Sequence, residues 1–308
     1  MKKQRQFLVP LDGSERALQT CRYVASFRPF HALNAVLFHV FSEAPEACFD
    51  IGRRPSAVWE GVQAWQAEEL RRLEEHFNLA RRTLTAREFP EERIEVKIRR
   101  RQGGVARDII REARRDFEFV VAGRRGMGPL AGMVIGSVTL KLLQGLSFVP
   151  LLIAGRKPPG IRVLIGFDGS AGALRAVRFL GALVAPFPEF TICLLHVFRG
   201  GSDAPPGIRR FLAPSESAAS ARENIMTKFD LARSRLADLG VARERVSTRF
   251  VSGAVSRAAE IVKYARAEEI GIIALGRRGV SRVRDFFIGR VTNKVLHLAH
   301  DRSVWIVH

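Results

Sequence analysis

The sequence predicts an α/β protein made of two tandem open parallel sheets, each covered by helices on both faces. Three observations lead there. The chain repeats itself at nearly constant spacing, short apolar runs alternate with longer amphipathic ones, and the composition is that of a folded chain. Asp12-Gly-Ser recurs as Asp168-Gly-Ser, 156 residues on; His39-Val40-Phe41 recurs as His196-Val197-Phe198, 157 on; Gly123-Arg-Arg-Gly126 recurs as Gly276-Arg-Arg-Gly279, 153 on. Three separate motifs at such similar offsets mark a duplicated domain. Apolar residues make up 47% and charged residues 26% of 308, enough apolar surface for two domain cores and too much for a disordered chain.

In the first copy, Phe7–Leu11 reads as a buried strand ending in an Asp-Gly turn. Ser14–Phe27 follows as a helix, with Ser14 placed to cap it and Ala17, Cys21, Val24 and Ala25 at helical spacing. Leu33–Val40 is the second strand. Ser56–Leu84 is a long helix, its core stripe read as Val58, Val62, Trp65, Leu70, Leu73 and Phe77. Then come strand Ile94–Ile98, helix Val105–Arg115, strand Glu118–Ala122, helix Gly136–Gly145 and strand Val149–Ile153. The second copy repeats this order. Its strands are expected near Ile161–Gly166, Phe190–Val197, Val246–Val251, Ile270–Leu275 and Val304–Val307, and its helices near Ala171–Val184, Ser215–Leu239, Val255–Ala267 and Gly289–Leu298. Strands alternating with helices imply right-handed crossovers and parallel sheets. The expected domains are 1–155 and 161–308, joined by the short proline-rich linker Arg156-Lys-Pro-Pro-Gly160. The irregular stretches Ser42–Pro55 and Arg199–Pro214 are read as lids or plain surface.

The net charge is +19, and most of the basic residues are Arg. Cut at Gly155, the first part holds 25 basic and 18 acidic residues (+7) and the second 25 and 13 (+12), so the excess is no basic tail. It suits contact with phosphate or other polyanions, or simply a solvated surface. Cys21, Cys48 and Cys193 form no CxxC pair, which argues for a reducing, cytoplasmic setting and against structural zinc. The apolar run after the basic start Met1–Gln6 ends at Asp12, short of the roughly 7–15 residues a signal peptide needs, so no signal peptide is expected. Leu130–Ala154 is apolar and contains Gly132-x-x-x-Gly136, but Lys141, Gln144 and Pro150 favour a buried helix and strand over a membrane span.

In open parallel sheets ligands bind beyond the carboxyl ends of the strands, where strand order reverses. Asp12, Val40 and Gly123 all fall at such ends. Gly123-x-x-Gly126, nine residues, then Gly136-Ser137 follows a strand and opens a helix; its glycines admit a phosphate to the backbone, and the helix start favours negative charge. This G-x-x-G-x9-G-S pattern, with the strand-end Asp-Gly-Ser and His-Val, resembles the nucleotide loop of ATP-binding universal stress proteins. The resemblance spans nearly the whole chain twice. It implies an adenine nucleotide alpha hydrolase-like fold with strand order 3-2-1-4-5. It also implies a nucleotide site formed by Asp12 beside the adenosine, Val40 against adenine through its backbone, and Gly123, Gly126, Gly136, Ser137 and Val138 around the phosphates, with Mg accompanying ATP. Carried to the second copy, the positions are Asp168, Val197, Gly276, Gly279, Gly289 and Arg290. Arg290 stands where the first copy has Ser137, either to meet a phosphate or to fill the pocket.

The remaining candidates have plainer readings. Asp12 and Asp168 also suit a simple turn and helix start. His39 and His196 suit packed, hydrogen-bonded positions, and His297, His300 and His308 lack metal spacing. Arg124, Arg125, Arg277 and Arg278 face either phosphates or solvent, while Trp59 and Trp65 sit at core or interdomain spacing. The resulting expectation is a non-enzymatic, ATP-binding stress-response or regulatory protein. Alternatives are a weak ATPase or phosphoryl-transfer enzyme, set back by the missing Walker sequence, and a polyanion-binding scaffold. Family resemblance further implies dimerisation through fifth strands, either between chains as a homodimer or internally, with Val149–Ile153 pairing Ser303–Val307 in a pseudo-dimer.

Overall fold

The structure, a computed structural model, describes residues 5–43, 56–126, 134–199, 218–279 and 288–308. Much of Ser42–Pro55 and Arg199–Pro214, together with Cys48, Gly132 and the side chains of Val58 and Trp59, lies outside the described residues. The chain forms two compact units, Met1–Val149 and Pro150–His308.

The first unit runs β1 (Gln6–Pro10), α1 (Glu15–Ser26), β2 (Asn34–Phe41), α2 (Ser56–Thr85), β3 (Ile94–Arg100), α3 (Val105–Ala113), β4 (Val120–Ala122) and α4 (Ser137–Gly145). β1 lies parallel between β2 and β4, with Leu8 opposite both Val36 and Val120, and β3 pairs with β2 from Ala35–Ile94 onward. β1 and β2 are almost wholly apolar because both faces are covered: α1 packs with α2, and α3 with α4. β3 is charged and partly exposed, as suits an outer strand. Phe7, Phe27, Phe30 and Phe119 form an aromatic cluster, with contacting ring centroids 4.7–5.1 Å apart. All four are fully buried, each stabilising the fold by about 1.5–3 kcal/mol.

The second unit runs β5 (Leu151–Ile153), β6 (Arg162–Gly166), α5 (Ala171–Val184), β7 (Thr191–Val197), α6 (Ala218–Asp238), β8 (Val246–Val251), α7 (Arg257–Ala267), β9 (Ile272–Gly276), α8 (Arg290–Leu298) and β10 (Ser303–Val307). The five strands of the second copy are parallel in the order β8-β7-β6-β9-β10, which is the expected 3-2-1-4-5. β5, the last strand of the first copy, pairs antiparallel with β10, Leu152 opposite Trp305. The linker is docked rather than free: Lys157 N–H donates to Asp301 O at 3.1 Å, and Pro159 is buried.

Two local expectations need correction. Leu70 is 44% exposed, because the inward stripe of α2 passes through Val62, Glu69, Leu73 and Phe77. Val255 does not open α7; it is 86% exposed, and Ser256 caps the helix by accepting from Ala259 N–H at 3.3 Å. Among the described residues no helix is long and apolar enough to cross a membrane.

Candidate nucleotide site

β1 sits between β2 and β4, so the chain leaves it in one direction and returns on the other side. The loops after β1 and β4 therefore diverge and leave a crevice at the carboxyl ends. A cavity of about 550 Å³ lies there, lined by Asp12, Val40, Gly123, Gly126, Gly136, Ser137 and Val138, all seven residues expected from the sequence. The size falls within the range of about 300–1,000 Å³ usual for small-molecule sites.

Its rim is built by short-range hydrogen bonding. Gly13 follows Asp12 with φ +80, which a residue carrying Cβ adopts only with strain. The turn this allows lets Asp12 Oδ1 accept from Ser14 N–H (3.1 Å) and Ser14 Oγ–H (2.6 Å), while Ser14 Oγ accepts from Ala17 N–H (3.2 Å) and caps α1. Asp12 thus shapes the turn and also lines the cavity. The loop after β4 is closed by Gly136 N–H to Arg124 O (2.7 Å) and Thr139 Oγ1–H to Gly123 O (2.8 Å), and Arg16 ties it to α1 through Gly126 O (3.0 Å). Thr139, buried inside the first turn of α4, has no counterpart in the glycine pattern and escaped sequence reading.

None of the three loop glycines has positive φ. They are small because other atoms of the protein occupy the space. A Cβ on Gly123 would stand 2.8 Å from Thr20 Oγ1, one on Gly136 3.3 Å from Arg125 Cα, and one on Gly126 would overlap Asp12 Oδ2. Gly126 therefore lets the strand-end carboxylate and the loop meet. α4 starts after Gly136 without a side-chain cap, and its first residues, Ser137 and Val138, line the cavity at the positive end of the helix dipole.

His39 lines the same cavity, and its Nδ1–H donates to Leu11 O at 2.8 Å. Burial pushes its pKa below the ordinary range, against the pull of Leu11 O, Asp12 and Glu69, so it is a neutral, structural imidazole. Of Arg124 and Arg125, only Arg125 lines the cavity. Trp65 and Glu69 on α2 and Arg101 after β3 complete the wall, with Trp65 stacked on Phe41 at 6.5 Å between centroids. Sequence reading took Trp65 only for a core or interdomain contact and overlooked Glu69; the inward stripe of α2 identifies both.

The second unit holds the same construction in a cavity of about 810 Å³, lined by Asp168, Val197, Gly276, Gly279, Gly289 and Arg290. Gly169 turns at φ +71, Ser170 N–H donates to Asp168 Oδ1 (3.0 Å), and Ser170 Oγ caps α5. Gly289 N–H donates to Arg277 O (2.8 Å) and Thr292 Oγ1–H to Gly276 O (3.0 Å). Nδ1–H of His196 donates to Phe167 O (2.8 Å), and burial lowers its pKa as well. Arg278 lines the cavity. Arg277 is buried beside His308, with Nη1 3.5 Å from its Nε2. His297 turns back onto Asn293 O, and among the described residues no His, Cys, Asp and Glu gather as a metal site.

Comparison with known proteins fits this picture. The model of the Universal stress protein family matches twice, over residues 4–154 and 161–308. The fold is shared with a universal stress protein from Archaeoglobus fulgidus DSM 4304 at TM-score 0.65 and 17% identity, covering 98% of this chain and 97% of that one. It is also shared with PA1789, a functionally unknown protein from Pseudomonas aeruginosa PAO1, at TM-score 0.53, 17% identity and coverages of 99% and 92%. A search of curated proteins returns no match.

Proposed function

As the chain belongs to the universal stress protein family and carries that family's domain twice, we propose that it binds an adenine nucleotide, ATP with Mg, in the first unit and acts by binding as a stress-response or regulatory protein. The observation that carries this reading is the first cavity, where Asp12, the end of β2 at Val40, the closed glycine loop and the uncapped start of α4 converge on one crevice. The residues suit the ligand. The apolar wall of Val40, Phe41 and Trp65 would take a flat base, Asp12 and Glu69 lie where ribose hydroxyls can donate, and Ser137 with the first N–H groups of α4 would take phosphate oxygens. Mg would be held through the phosphates.

Binding rather than turnover is favoured by the lining. Among the described residues two carboxylates line this cavity, and Asp12 Oδ1 already accepts two hydrogen bonds from Ser14, which makes it a poor base for a nucleophile. Calorimetric titration with ATP and Mg tests the reading: one equivalent should bind the first unit, and Gly123→Ala and Ser137→Ala should weaken it. No binding to the purified protein sinks it, and phosphate release well above background that depends on Ser137 would turn it into an enzyme. Assembly through β10 of two chains is disfavoured, since β9 and β5 occupy its two edges.

A further inference from the structure

The two cavities share a frame and differ in charge. The inward positions of α2, Leu73, Phe77, Ala80 and Leu84, recur on α6 as Ile225, Phe229, Ala232 and Leu236, all buried and at one constant spacing. By the same rule Ala106, Ile109 and Ala113 of α3 recur on α7 as Ala258, Ile261 and Ala265. In that frame Glu69 becomes Ala221, His76 becomes Lys228 and Val105 becomes Arg257, and in the frame of the glycine loops, one residue longer, Ser137 becomes Arg290. Each change removes a negative charge or adds a positive one. Among the described residues, the charged groups lining the first cavity are Asp12 and Glu69 against Arg101 and Arg125, a net of zero. Lining the second, again among the described residues, are Asp168 against Lys228, Arg257, Arg278 and Arg290, a net of +3.

These cations are aimed by packing. The stem of Lys228 lies across Gly169, in space a Cβ would fill, which puts the side chain over the Asp168 turn. Arg257 Nε–H donates to Val197 O at 3.2 Å, at the carboxyl end of β7. Among the described residues Lys228, Arg257 and Arg278 form no ion pair. Four cations around one crevice repel one another, an arrangement that a multiply charged anion relieves. If the first cavity takes its base against Val40, the matching backbone acceptor of the second is already taken by Arg257, and the residue that would have met the sugar, Glu69, is there only Ala221.

We infer that the second cavity is a separate site for a compact polyphosphate anion, a phosphate chain of three or more negative charges, held by Lys228, Arg257, Arg278 and Arg290 without recognition of adenine. The last step, the absence of base recognition, rests on the proposed reading of the first cavity; the anion site itself does not.

The test uses the full chain and inorganic tripolyphosphate, titrated calorimetrically in a Gly126→Ala background that weakens the first cavity. One equivalent should bind, more weakly as salt rises. Lys228→Gln, Arg257→Gln and Arg290→Ser together, all exposed side chains, should weaken it by about ten-fold or more. Neutralising Arg22, Arg82 and Arg87, exposed elsewhere, should leave it within about two-fold, the scale of a screened surface contribution. Adenosine should not compete. The inference is overturned if the site triple variant binds like its parent, if the control triple loses as much, or if adenosine displaces tripolyphosphate. Failure of ATP to bind the first unit would leave this outcome readable, since the measurement involves no adenine.

Discussion

Gly126→Ala is the sharpest probe of the first cavity, because the structure says what the added methyl meets. Its Cβ would stand 3.1 Å from Asp12 Cγ and overlap Asp12 Oδ2, so the carboxylate must retreat by about 1 Å. It cannot do so freely. Oδ1 is held by Ser14 N–H at 3.1 Å and by Ser14 Oγ–H at 2.6 Å, and Ser14 in turn caps α1. Moving the carboxylate weakens two charge-assisted hydrogen bonds; moving the loop instead strains Gly136 N–H to Arg124 O and Thr139 Oγ1–H to Gly123 O. Overpacking of this kind costs about 1–3 kcal/mol. If the displaced groups are those the nucleotide needs, that converts to roughly 5- to 150-fold in affinity, at about 1.4 kcal/mol per ten-fold. The assay is ATP titration, reading the component that adenosine competes away. Gly279→Ala is the paired control: its Cβ overlaps Asp168 Oδ2 in the second cavity and should leave the adenosine-sensitive component unchanged. Unchanged affinity in folded Gly126→Ala protein, or equal losses in both variants, would refute the assignment to the first cavity.

Other outcomes follow from single contacts. Thr139→Val keeps the shape of a buried side chain but strands Gly123 O, and should cost about 1–3 kcal/mol in chemical unfolding along with weaker ATP binding. His308 has its pKa lowered to about 4 by burial and by Arg277 and Arg175. The unfolded chain then binds the proton first, so stability present above about pH 6.5 is lost as pH falls toward 4; His308→Gln should flatten the melting temperature against pH in that window. Burial pushes the Cys21 thiol to about 12, so Cys21 should resist alkylation at neutral pH until the protein is denatured, as peptide mapping by mass spectrometry would show.

Much of this molecule is legible in one dimension because its determinants are local. Ser14 before Glu15–Ser26 and the Asp-Gly-Ser turns declare themselves through neighbours two or three residues away. The inner strands of both copies were readable as apolar runs, since parallel strands covered on both faces need no alternation. Leu70 was misread because a helix of thirty residues offers several near-equivalent stripes, and only packing against α1 and β2 selects the one through Glu69. Val255 was misread because an apolar residue beside a helix start looks like its first turn until Ser256 is seen to cap it.

The sequence by itself determined the duplication, the order of elements and the positions of the strand-end aspartates and loop glycines, because repetition and short-range turn chemistry are written along the chain. Only the tertiary structure decided why the glycines are glycines, since Asp12, more than a hundred residues away, fills the space a Cβ at Gly126 would need. It likewise revealed the charge of each cavity. Glu69 and Arg101 around one, and Lys228 and Arg257 around the other, come from helices and loops far apart in sequence that meet only when the sheet brings its carboxyl ends together. The second glycine loop, which keeps the three glycines of the first and carries Arg290 where the first has Ser137, thereby becomes the rim of a site with a different electrostatic character.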